Sequence, residues 1–521
     1  MKKQLSILLA AALLPVLANA QGAIDAFQLS QQDLRGTARY MSMAGAFGAL
    51  GGDMSTLIQN PAGIGVYRSS DACATLGINF QSTKADYGSK YSNTVASCNT
   101  AGYVGVYNLN SEVMPNFNWG FSYNRQLSLN RRTRGGFGSM RTSLSNYIAG
   151  VTNSGGYTDQ EIVSGGYYGN APWLSVLAYD SYMITPNSQG VDFQGLLGDG
   201  TTGAAEFETI ESGGIDEFSF NFGGNIMNSV YWGVGLGITD INYNAYTYYG
   251  ESLDNAYVGD DDGTITNGYA DYGLENQLRT TGTGWNCKFG IIAKPINELR
   301  FGLAFHSPTY YELTDTYVAG TSFAYGNGIQ GNASTNEGVA SETYYKLRTP
   351  WKFIASAAAV LGKQAIVSFD YQYTGYNNMS LSDSRGFEYT DSNNDIDKYY
   401  CPGNTYRVGL EYRATPKLSL RAGYSYEDCA VNEDVLNNRV DIFTSGTIPS
   451  YNFVKKTQYV TCGLGYKFSG AYIDFAYVYR NRDNEFHAFS PVNYSGGVEP
   501  SPTASVSDNN HQLVVTFGVR F

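Results

Sequence analysis

The sequence predicts an all-β protein, a 14-stranded antiparallel transmembrane β-barrel with an N-terminal hatch inside its lumen. The composition suits strands and turns, because 44 of the 521 residues are Tyr, 26 are Phe and 61 are Gly, while only 15% are charged. Apolar and polar side chains alternate with a period of two residues through the last third of the chain. The connections between these runs are alternately short and long, which is typical of outer-membrane barrels.

The first twenty residues, 1–20, predict a cleaved secretory signal peptide. Lys2 and Lys3 precede an apolar run from Leu5 to Leu17, and Ala18-Asn19-Ala20 supplies a small-residue cleavage site. The apolar run is too short to cross a bilayer. We therefore expect cleavage near Ala20 and a mature chain in the outer membrane of a Gram-negative cell, as a multi-pass β-barrel.

The last strand shows the alternation most clearly. In "HQLVVTFGVRF" one face is polar or glycine, and the other carries Leu513, Val515, Phe517, Val519 and Phe521. A terminal Phe at the end of such a strand resembles the signature by which outer-membrane barrels are recognised for assembly. We therefore expect the barrel assembly machinery and outer-membrane lipids to be partners of this chain.

Alternation alone also fits a soluble β-sandwich, so the connections decide between the two folds. Short turns are predicted near 294–297, 361–363, 414–416 and 469–470. Long polar loops are predicted near 245–279, 307–349, 376–403, 428–455 and 481–508. Tight turns at one edge and long loops at the other predict a membrane barrel with periplasmic turns and extracellular loops.

Counting strands backward from the C-terminus gives an even number, as closure with both ends in the periplasm requires. The fourteen strands are predicted at 71–82, 100–109, 118–129, 216–226, 230–243, 280–293, 298–306, 350–361, 364–375, 404–413, 417–427, 456–468, 471–480 and 509–521. Residues 130–215 would then form one very long outer loop. The barrel domain as a whole is predicted to span residues 67–521.

Residues 21–66 precede the first strand and carry scattered apolar side chains interrupted by glycines. These side chains are too few to form an independent core, whereas a fourteen-stranded barrel is wide enough to hold a segment in its lumen. We therefore predict that residues 21–66 fill the barrel as a hatch, with glycines that let the backbone pass close to the wall.

This N-terminal segment resembles the hatch of the FadL-type outer-membrane transporters of long-chain fatty acids and other hydrophobic compounds. The resemblance rests on Phe27-Gln28-Leu29, on the Gly-rich stretch from Ala44 to Gly52, and on Asn60-Pro61-Ala62. It covers the hatch closely and the barrel by architecture alone. It implies the same fourteen-stranded fold and passive uptake of hydrophobic small molecules through a channel gated by the hatch.

The resemblance also implies roles for particular residues. Phe27 and Leu29 would contact the ligand or the gate, and Asn60, Pro61 and Ala62 would hold the hatch against the wall. In the family, a kinked strand opens a lateral exit through the barrel. Three glycines are candidates for that bend: Gly102, Gly105 and Gly120. The alternative is that they are ordinary wall glycines that avoid steric crowding.

Strand parity directs many charged side chains toward the lumen: Lys288, Arg300, Asp370, Arg407, Glu411, Lys417, Arg421, Asp474 and Arg520. One interpretation is a wall of mutually paired charges around a wet interior. The other is that Arg407 and Arg421, on adjacent strands, contact an anionic headgroup such as a carboxylate. A basic cluster, "RRTRGG" from Arg131 onward, lies near the start of the predicted outer loop and is interpreted as a solvated loop base.

The chain has 6 cysteines in 521 residues, too few for a disulfide scaffold. Cys401 and Cys429 are equidistant from residue 415, the middle of a predicted hairpin turn. They would therefore face each other across two strands, and they are candidates for a disulfide in an oxidising compartment.

Nothing in the sequence predicts catalysis, a cofactor or a metal site. The 3 histidines have neither metal-ligand spacing nor the context of a nucleophile, and a net charge of −13 speaks against nucleic-acid binding. We expect a monomer with a fatty acid-like small molecule as its ligand. The alternative is a non-transporting barrel of the same fold that acts as a scaffold or shuttle in protein export or surface interaction.

Overall fold

The fold is described from a computed structural model. It describes residues 22–187, 189–190, 192–260, 263–362, 364–437, 440, 442–444, 446–494 and 497–521. The predicted signal peptide, residues 1–20, and the predicted first mature residue lie outside the described residues.

Most of the described chain is strand, and the strands are numbered here in chain order. Their bounds are β1 Asp71–Ala85, β2 Tyr91–Asn108, β3 Asn116–Ser128, β4 Arg131–Gly138, β5 Ile184–Pro186, β6 Phe193–Gly195, β7 Thr202–Ile226, β8 Val230–Gly259, β9 Ile265–Ala293, β10 Leu299–His306, β11 Tyr310–Tyr325, β12 Gln330–Ser334, β13 Ser341–Arg348, β14 Lys352–Leu361, β15 Ala365–Thr374, β16 Ser380–Asp383, β17 Gly403–Arg413, β18 Leu418–Glu427, β19 Tyr451–Lys467, β20 Ala471–His487, β21 Val492–Tyr494, β22 Gly497–Glu499 and β23 Thr503–Arg520.

Fourteen of these strands form a closed antiparallel barrel, as the sequence predicts. The order around the wall is β1, β2, β3, β7, β8, β9, β10, β14, β15, β17, β18, β19, β20 and β23. Closure comes from β1, which pairs with β2 on one side and with β23 on the other. A closed barrel leaves no strand edge unpaired in the bilayer, where a free backbone amide would be costly.

The strand faces follow the parity of the sequence. On β7, Phe218, Phe220 and Phe222 are exposed on the outer surface, whereas Ser219 and Asn221 are buried in the lumen. This is the arrangement that a lipid environment requires of a barrel wall. Among the described residues, no helix is long and apolar enough to cross a membrane.

The prediction of long outer loops was wrong in several places, because many strands continue beyond the membrane. β8 and β9 run without interruption through most of the predicted loop at 245–279. Outside the bilayer the outer face of a strand is wetted and polar, so the alternation weakens there. The inner face stays apolar, with Tyr249 and Leu253 buried.

The segment 130–215 is likewise not one loop. It contains β4, the beginning of β7, and three helices that pack inside the outer end of the barrel. The helices of the chain are α1 Ala23–Ser30, α2 Ala38–Ser42, α3 Thr56–Gln59, α4 Leu144–Ser154, α5 Asp159–Gly165, α6 Trp173–Asp180, α7 Thr390–Tyr399 and α8 Glu433–Leu436.

The basic cluster at the start of this segment belongs to β4 and not to a loop, but Arg132 and Arg134 are exposed, as its interpretation as a solvated cluster expects. Arg132 and Arg134 form ion pairs with Glu208 and Glu206 of β7 at 2.6 and 2.8 Å. Opposite charges on neighbouring strands stabilise the pairing of β4 with β7 outside the membrane.

The described part of the predicted hatch, residues 22–66, lies inside the barrel. It contains α1, α2, α3 and a 3₁₀ helix, Pro61–Val66. Its apolar side chains are buried against the wall, including Met41, Phe47 and Leu57. The small helices are capped locally; for example, the Thr37 hydroxyl accepts a hydrogen bond from the Tyr40 amide at 3.1 Å, which satisfies a free N–H at the start of α2.

Candidate functional site

The hatch touches the barrel through a ring of wall glycines. Nine strands each contribute one: Gly102, Gly120, Gly223, Gly233, Gly290, Gly302, Gly409, Gly423 and Gly463. A Cβ atom at Gly233 would overlap the Pro61 carbonyl, and one at Gly290 would overlap the Asn60 side chain. The ring therefore lets the hatch backbone approach the wall more closely than any side chain would allow.

Asn60-Pro61-Ala62 lies at this ring, on the wall formed by β8 and β9. The Asn60 amide donates to the Gly48 carbonyl at 2.6 Å and to the Ile291 carbonyl of β9 at 3.5 Å, and its side-chain oxygen caps the 3₁₀ helix through the Ala62 N–H at 3.1 Å. Ala62 is buried among Tyr231 and Ile292. The motif thus joins one hatch segment to another and packs both against the wall.

A second wall contact is made by Asp370 of β15, which is fully buried. One carboxylate oxygen accepts hydrogen bonds from the backbone N–H groups of Phe47 and Gly48 at 3.0 and 2.9 Å, and from the Gln59 amide at 3.0 Å. Charge-assisted hydrogen bonds of this kind are stronger than those between neutral groups. Asp370, which the sequence places among the lumen charges, therefore holds the middle of the hatch.

The beginning of the hatch is held by side chains instead. Phe27 of α1 stacks on Tyr400 with 4.4 Å between the ring centroids, and it lies 4.9 Å from the ring of Tyr376. Leu29, two residues further along the helix, is also buried. Both residues lie next to cavities in the lumen, where the resemblance places contacts with the ligand or the gate.

After α1, Asp33 enters a buried cluster of arginines. Its carboxylate lies 3.0 Å from Arg480 and 3.1 Å from Arg482, and Arg35 lies 3.8 Å away. Burial raises the pKa of Asp33, but the nearby guanidinium groups of Arg480, Arg482 and Arg35 lower it more, to about 2. The carboxylate is therefore charged at neutral pH and ties the hatch to β20.

Three cavities follow the hatch from the outer end of the barrel inward. The outer cavity, about 610 Å³, is lined by Ile24, Leu278 and Ile448. The middle cavity, about 1000 Å³, shares those residues and also touches Phe27. The central cavity, about 1140 Å³, shares Phe27 with the middle one and reaches the hatch at Tyr40. Helix α1 thus borders a row of adjoining spaces.

The central cavity has a cationic wall formed by Lys288, Arg407 and Lys352; strand parity predicted the first two, and sequence reasoning missed the third. Lys352 of β14 is only 8% exposed, and among the described residues the structure gives its ammonium no hydrogen-bond or ion-pair partner. His306 Nε2 donates a hydrogen bond to the Gln59 carbonyl at 2.8 Å, and Lys288 pairs with Glu217. Strand parity could have placed Lys352 in the lumen, since it precedes the buried Ile354 by two residues.

Arg407 also lines the central cavity. One of its terminal nitrogens donates to Gln372 at 3.1 Å, and the other is buried without a partner in the part of the chain that the structure describes. Lys352 and Arg407 form no ion pair among the described residues, although the carboxylates of Asp33, Glu427 and Asp428 line the same cavity. Two cations without a direct partner can bind an anionic group.

The predicted partnership of Arg407 with Arg421 was wrong. In the β17–β18 ladder, Arg407 pairs with Ser425, whereas Arg421 pairs with Glu411, four residues nearer the turn. Four residues of strand span about 13 Å, and the hatch lies between the two levels. Arg421 is on the other side of the hatch, bonded to Glu411 at 2.7 Å and to Asp474 at 2.5 Å.

Among the described residues, β2 and β3 are not paired with each other in their outer halves. Their pairing ends at Thr100 and Asn124; among the described residues, Tyr91–Asn99 pair only with β1. β3 has a register shift between Arg125 and Leu127 at this height. Arg125 also lines the central cavity.

The opening lies at the height of the membrane. Ile78 and Phe80 of β1 are exposed on the outer surface and pair with Ala96 and Thr94 of the unpaired stretch of β2. On the lumen side, Arg35 of the hatch donates to Asn99 at 3.1 Å. The central cavity is lined by Arg35 and Arg125, which lie on the lumen side of this unpaired stretch.

The glycines predicted to cause a bend do not lie at the gap. Gly102 and Gly120 face the hatch as members of the glycine ring, and Gly105 packs against the Trp119 ring. The irregularity nearest the unpaired stretch is the register shift in β3 next to Gln126, an insertion that a strand pattern does not reveal.

Cys401 and Cys429 are both free thiols in the structure. The β17–β18 register pairs Thr405 with Glu427, so the hairpin is centred on residue 416 and the two cysteines are offset from each other. The Cys401 sulfur lies 4.0 Å from the Cys429 carbonyl oxygen. The structure therefore does not contain the disulfide, and the pairing stays a prediction. Among the described residues, no group of three His, Cys, Asp or Glu side chains could hold a metal ion.

The sequence matches one family of known proteins. Residues 225–492, just over half of the chain, match the sequence profile of the family described as outer membrane protein transport protein (OMPP1/FadL/TodX). The chain belongs to this family. No curated protein matches the sequence.

Solved structures of this family share the fold. The Pseudomonas putida toluene transporter TodX is similar with a TM-score of 0.50 and 13% sequence identity, over 94% of this chain and 99% of that one. A Pseudomonas aeruginosa FadL homologue gives a TM-score of 0.50 and 13% identity, over 93% and 99%. At such identity the likeness shows the fold alone. The family places the chain in the outer membrane as a transport protein, and it is not an enzyme family.

Proposed function

We propose that this protein is a channel for passive uptake of hydrophobic small molecules that carry an anionic headgroup, with long-chain fatty acids as the model substrate. The observation that carries the proposal is the row of cavities along α1, which ends at the unpaired Lys352 and at Arg407. One similar structure is named a toluene transporter, and the other is named a FadL homologue. Both names support the general class of function, a channel for hydrophobic small molecules.

The chemistry of the cavity walls supports an amphiphile. Phe27 and Ile354 provide apolar surface in the central cavity, while Lys352 and Arg407 provide buried positive charge. A carboxylate would compensate that charge through charge-assisted hydrogen bonds, and the alkyl chain would lie along the aromatic side chains near α1. An uncharged hydrocarbon would leave the two cations unpaired.

We place the exit at the gap between β2 and β3. The gap adjoins the central cavity at Arg125 and faces lipid beside Ile78. A hydrophobic molecule that leaves through it enters the bilayer without crossing water. Its free energy falls along this path, so transport needs no energy source. Movement of residues 22–36, which line the gap at Arg35, would open the route.

The first test is native mass spectrometry of the purified barrel incubated with oleate, combined with oleate uptake by proteoliposomes. We expect one tightly bound oleate for the wild type, and loss of that species in the double variant Phe27→Asp, Leu29→Asp. Lys352→Gln should retain the apolar contacts and weaken oleate binding about tenfold, the value of one charge-assisted hydrogen bond.

Phe387→Asp is the matched control, because Phe387 is exposed on an outer loop and undergoes the same chemical change. Equal oleate binding by all variants would overturn the proposal. A barrel without oleate that carries a co-purifying protein would favour the alternative role as a scaffold or shuttle in export, which the family match does not favour.

Further expectations from the sequence remain proposals: cleavage of a signal peptide near Ala20, a monomeric state, and recognition of the C-terminal strand by the barrel assembly machinery. The strand that would be recognised, β23, closes the barrel against β1.

A further inference from the structure

A fourth cavity lies on the opposite side of the hatch from the other three. It opens to solvent, has a volume of about 1250 Å³ with that open part included, and is bordered by the hatch segments 50–53 and 66–69 and by the strand ends next to the short turns. Those turns form the edge assigned to the periplasm, so we name this space the periplasmic cavity.

The lining of the periplasmic cavity is strongly basic, although the chain as a whole has a net charge of −13. Its cations are Arg39, Arg68, Arg300, Arg413, Arg421, Lys467 and Arg520, and its anions are Asp53, Glu411 and Asp474. Three of the cations are neutralised: Arg39 and Arg421 share Glu411, at 2.9 and 2.7 Å, and Arg520 pairs with Asp71 at 3.0 Å.

The other four cations have no carboxylate partner among the described residues. Arg300 donates to the Leu50 carbonyl at 2.8 Å, while its Nε is buried without a partner. Arg68 donates only to Asn228, at 3.2 Å. Arg413 of β17 and Lys467 of β19 lie on the two strands that flank β18. Both are exposed, and neither has a side-chain hydrogen bond or ion pair within the described chain. The cavity thus concentrates positive charge that the protein itself does not compensate.

The same space also has an apolar floor, formed by Leu50, Val66, Val360 and Ile366. A bare inorganic anion would leave those apolar side chains in contact with water. A carboxylate or phosphate attached to a short apolar chain would satisfy both parts of the lining.

We propose that the periplasmic cavity is a second binding site, which takes an organic anion from the periplasmic side: a carboxylate or phosphate group on an apolar chain. The ligand would contact the wall at Arg413 and Lys467 and the hatch at Arg68. Because it touches both parts only when the hatch is in place, its binding stabilises the closed hatch by mass action. The site is separate from Lys352 and does not depend on the proposed uptake.

The test uses the full-length barrel in nanodiscs and three probes of equal chain length: octanoate, octyl phosphate and 1-octanol. Binding is measured by calorimetry in the Lys352→Gln background, which removes the cation proposed for the central cavity. We expect both anions to bind, with affinity that falls as salt rises, and 1-octanol not to bind measurably. A preference for octanoate or for octyl phosphate identifies the fatty-acid or the phospholipid-like source.

Arg413→Gln combined with Lys467→Gln should weaken binding of both anions at least about tenfold, because two charge-assisted contacts are lost. The matched control is Lys84→Gln combined with Lys90→Gln, two exposed cations at the outer edge of the barrel, which change the net charge equally. Bound octanoate should also slow hydrogen exchange of residues 50–69 in the control and not in the cavity variant.

Three results would overturn the inference: equal binding by the cavity variant and the control, binding of 1-octanol as tight as that of octanoate, or faster exchange of residues 50–69 when the anion is bound. Failure of oleate uptake in the earlier test would leave all these measurements unaffected, so the two proposals fail separately.

Discussion

Residues 22–36 and residues 37–66 of the hatch contact the same barrel through different chemistry. The later part lies within the glycine ring, where backbone meets backbone and Asp370 binds two amides. The earlier part is held by an aromatic stack at Phe27 and an ion cluster at Asp33. Close backbone packing cannot be released without moving the wall, whereas side-chain contacts can exchange partners. We therefore infer, on the proposed uptake function, that the later part is the anchor and that the earlier part moves.

Two cross-links test this distinction and should have the largest effect on uptake. Gly48→Cys with Ser356→Cys joins the anchor to the wall, since a Cβ at Gly48 would lie 3.0 Å from the Ser356 Cβ. Gln32→Cys with Gln126→Cys, joined by a short bifunctional thiol reagent, ties the earlier part to β3, where the two amides are 2.8 Å apart.

We expect the Gln32–Gln126 cross-link to stop oleate uptake by proteoliposomes and reduction to restore it, because residues 22–36 must move. The Gly48–Ser356 disulfide should leave uptake unchanged. The single-cysteine variants treated with the same reagents are the controls for the native cysteines. Uptake blocked by the anchor cross-link alone would reverse the assignment of the two parts.

A larger residue in the glycine ring should displace the anchor. In Gly290→Val the new side chain would occupy the position of the Asn60 side chain, so the hatch cannot pack and the lumen should open. Single-channel conductance in planar bilayers should rise toward that of a variant without residues 22–60. Gly138→Val is the control, because a Cβ at Gly138 would meet no atom within 4 Å. Conductance equal to that of the control would contradict the steric role of the ring.

Asp33→Asn should loosen the earlier part and leave the anchor in place. It leaves Arg480 and Arg482 buried without their shared carboxylate, a loss of about 3 kcal/mol for a buried ion pair. Hydrogen exchange of residues 22–36 should become much faster, while that of residues 41–60 stays slow. Equal acceleration in both parts would mean that the hatch is one cooperative unit. Asp86→Asn, at an exposed outer turn, controls for the charge change.

Acid should also loosen residues 22–36, to a smaller extent than Asp33→Asn. The pKa of Asp33 is lowered to about 2 by the three arginines, against the burial that raises it, whereas a free Asp titrates near about 3.9. The stabilisation is therefore complete above that free value and is lost as the pH falls through 2. A nitroxide attached at the exposed Gln32 should gain mobility between pH 4 and 2. The same label on Asp33→Asn should show no such transition.

Much of the fold could be predicted from the sequence. Strand number and order follow from period-two alternation, a local signal that each lipid-facing strand must carry because the bilayer admits only closed barrels or helices. The hatch could be located because residues 21–66 hold too few apolar side chains to fold alone. The strand ends outside the membrane could not be predicted, because water on their outer face removes the apolar half of the pattern, as in β8 beyond Tyr243.

The candidate site was predicted less completely. Phe27 and Leu29 lie beside cavities, where a motif resemblance placed them, and Asn60 lies at the wall. The partnership of Arg407 with Arg421 was wrong because facing the lumen says nothing about height along it. The gap between β2 and β3 was not assigned because a single register shift leaves the alternation on either side intact.

The sequence by itself determined that this chain is a closed barrel with a hatch inside it, because burial periodicity and the scarcity of apolar residues before β1 are properties of local sequence. Only the tertiary structure decided which charges compensate one another. Within the part of the chain that the structure describes, Lys352 has no ion-pair partner while Lys288 has Glu217, and Arg407 and Arg421 lie on opposite sides of the hatch. Pairing of charges falls off within a few ångströms, so it depends on strand register and on where the hatch packs, neither of which any short stretch of sequence encodes.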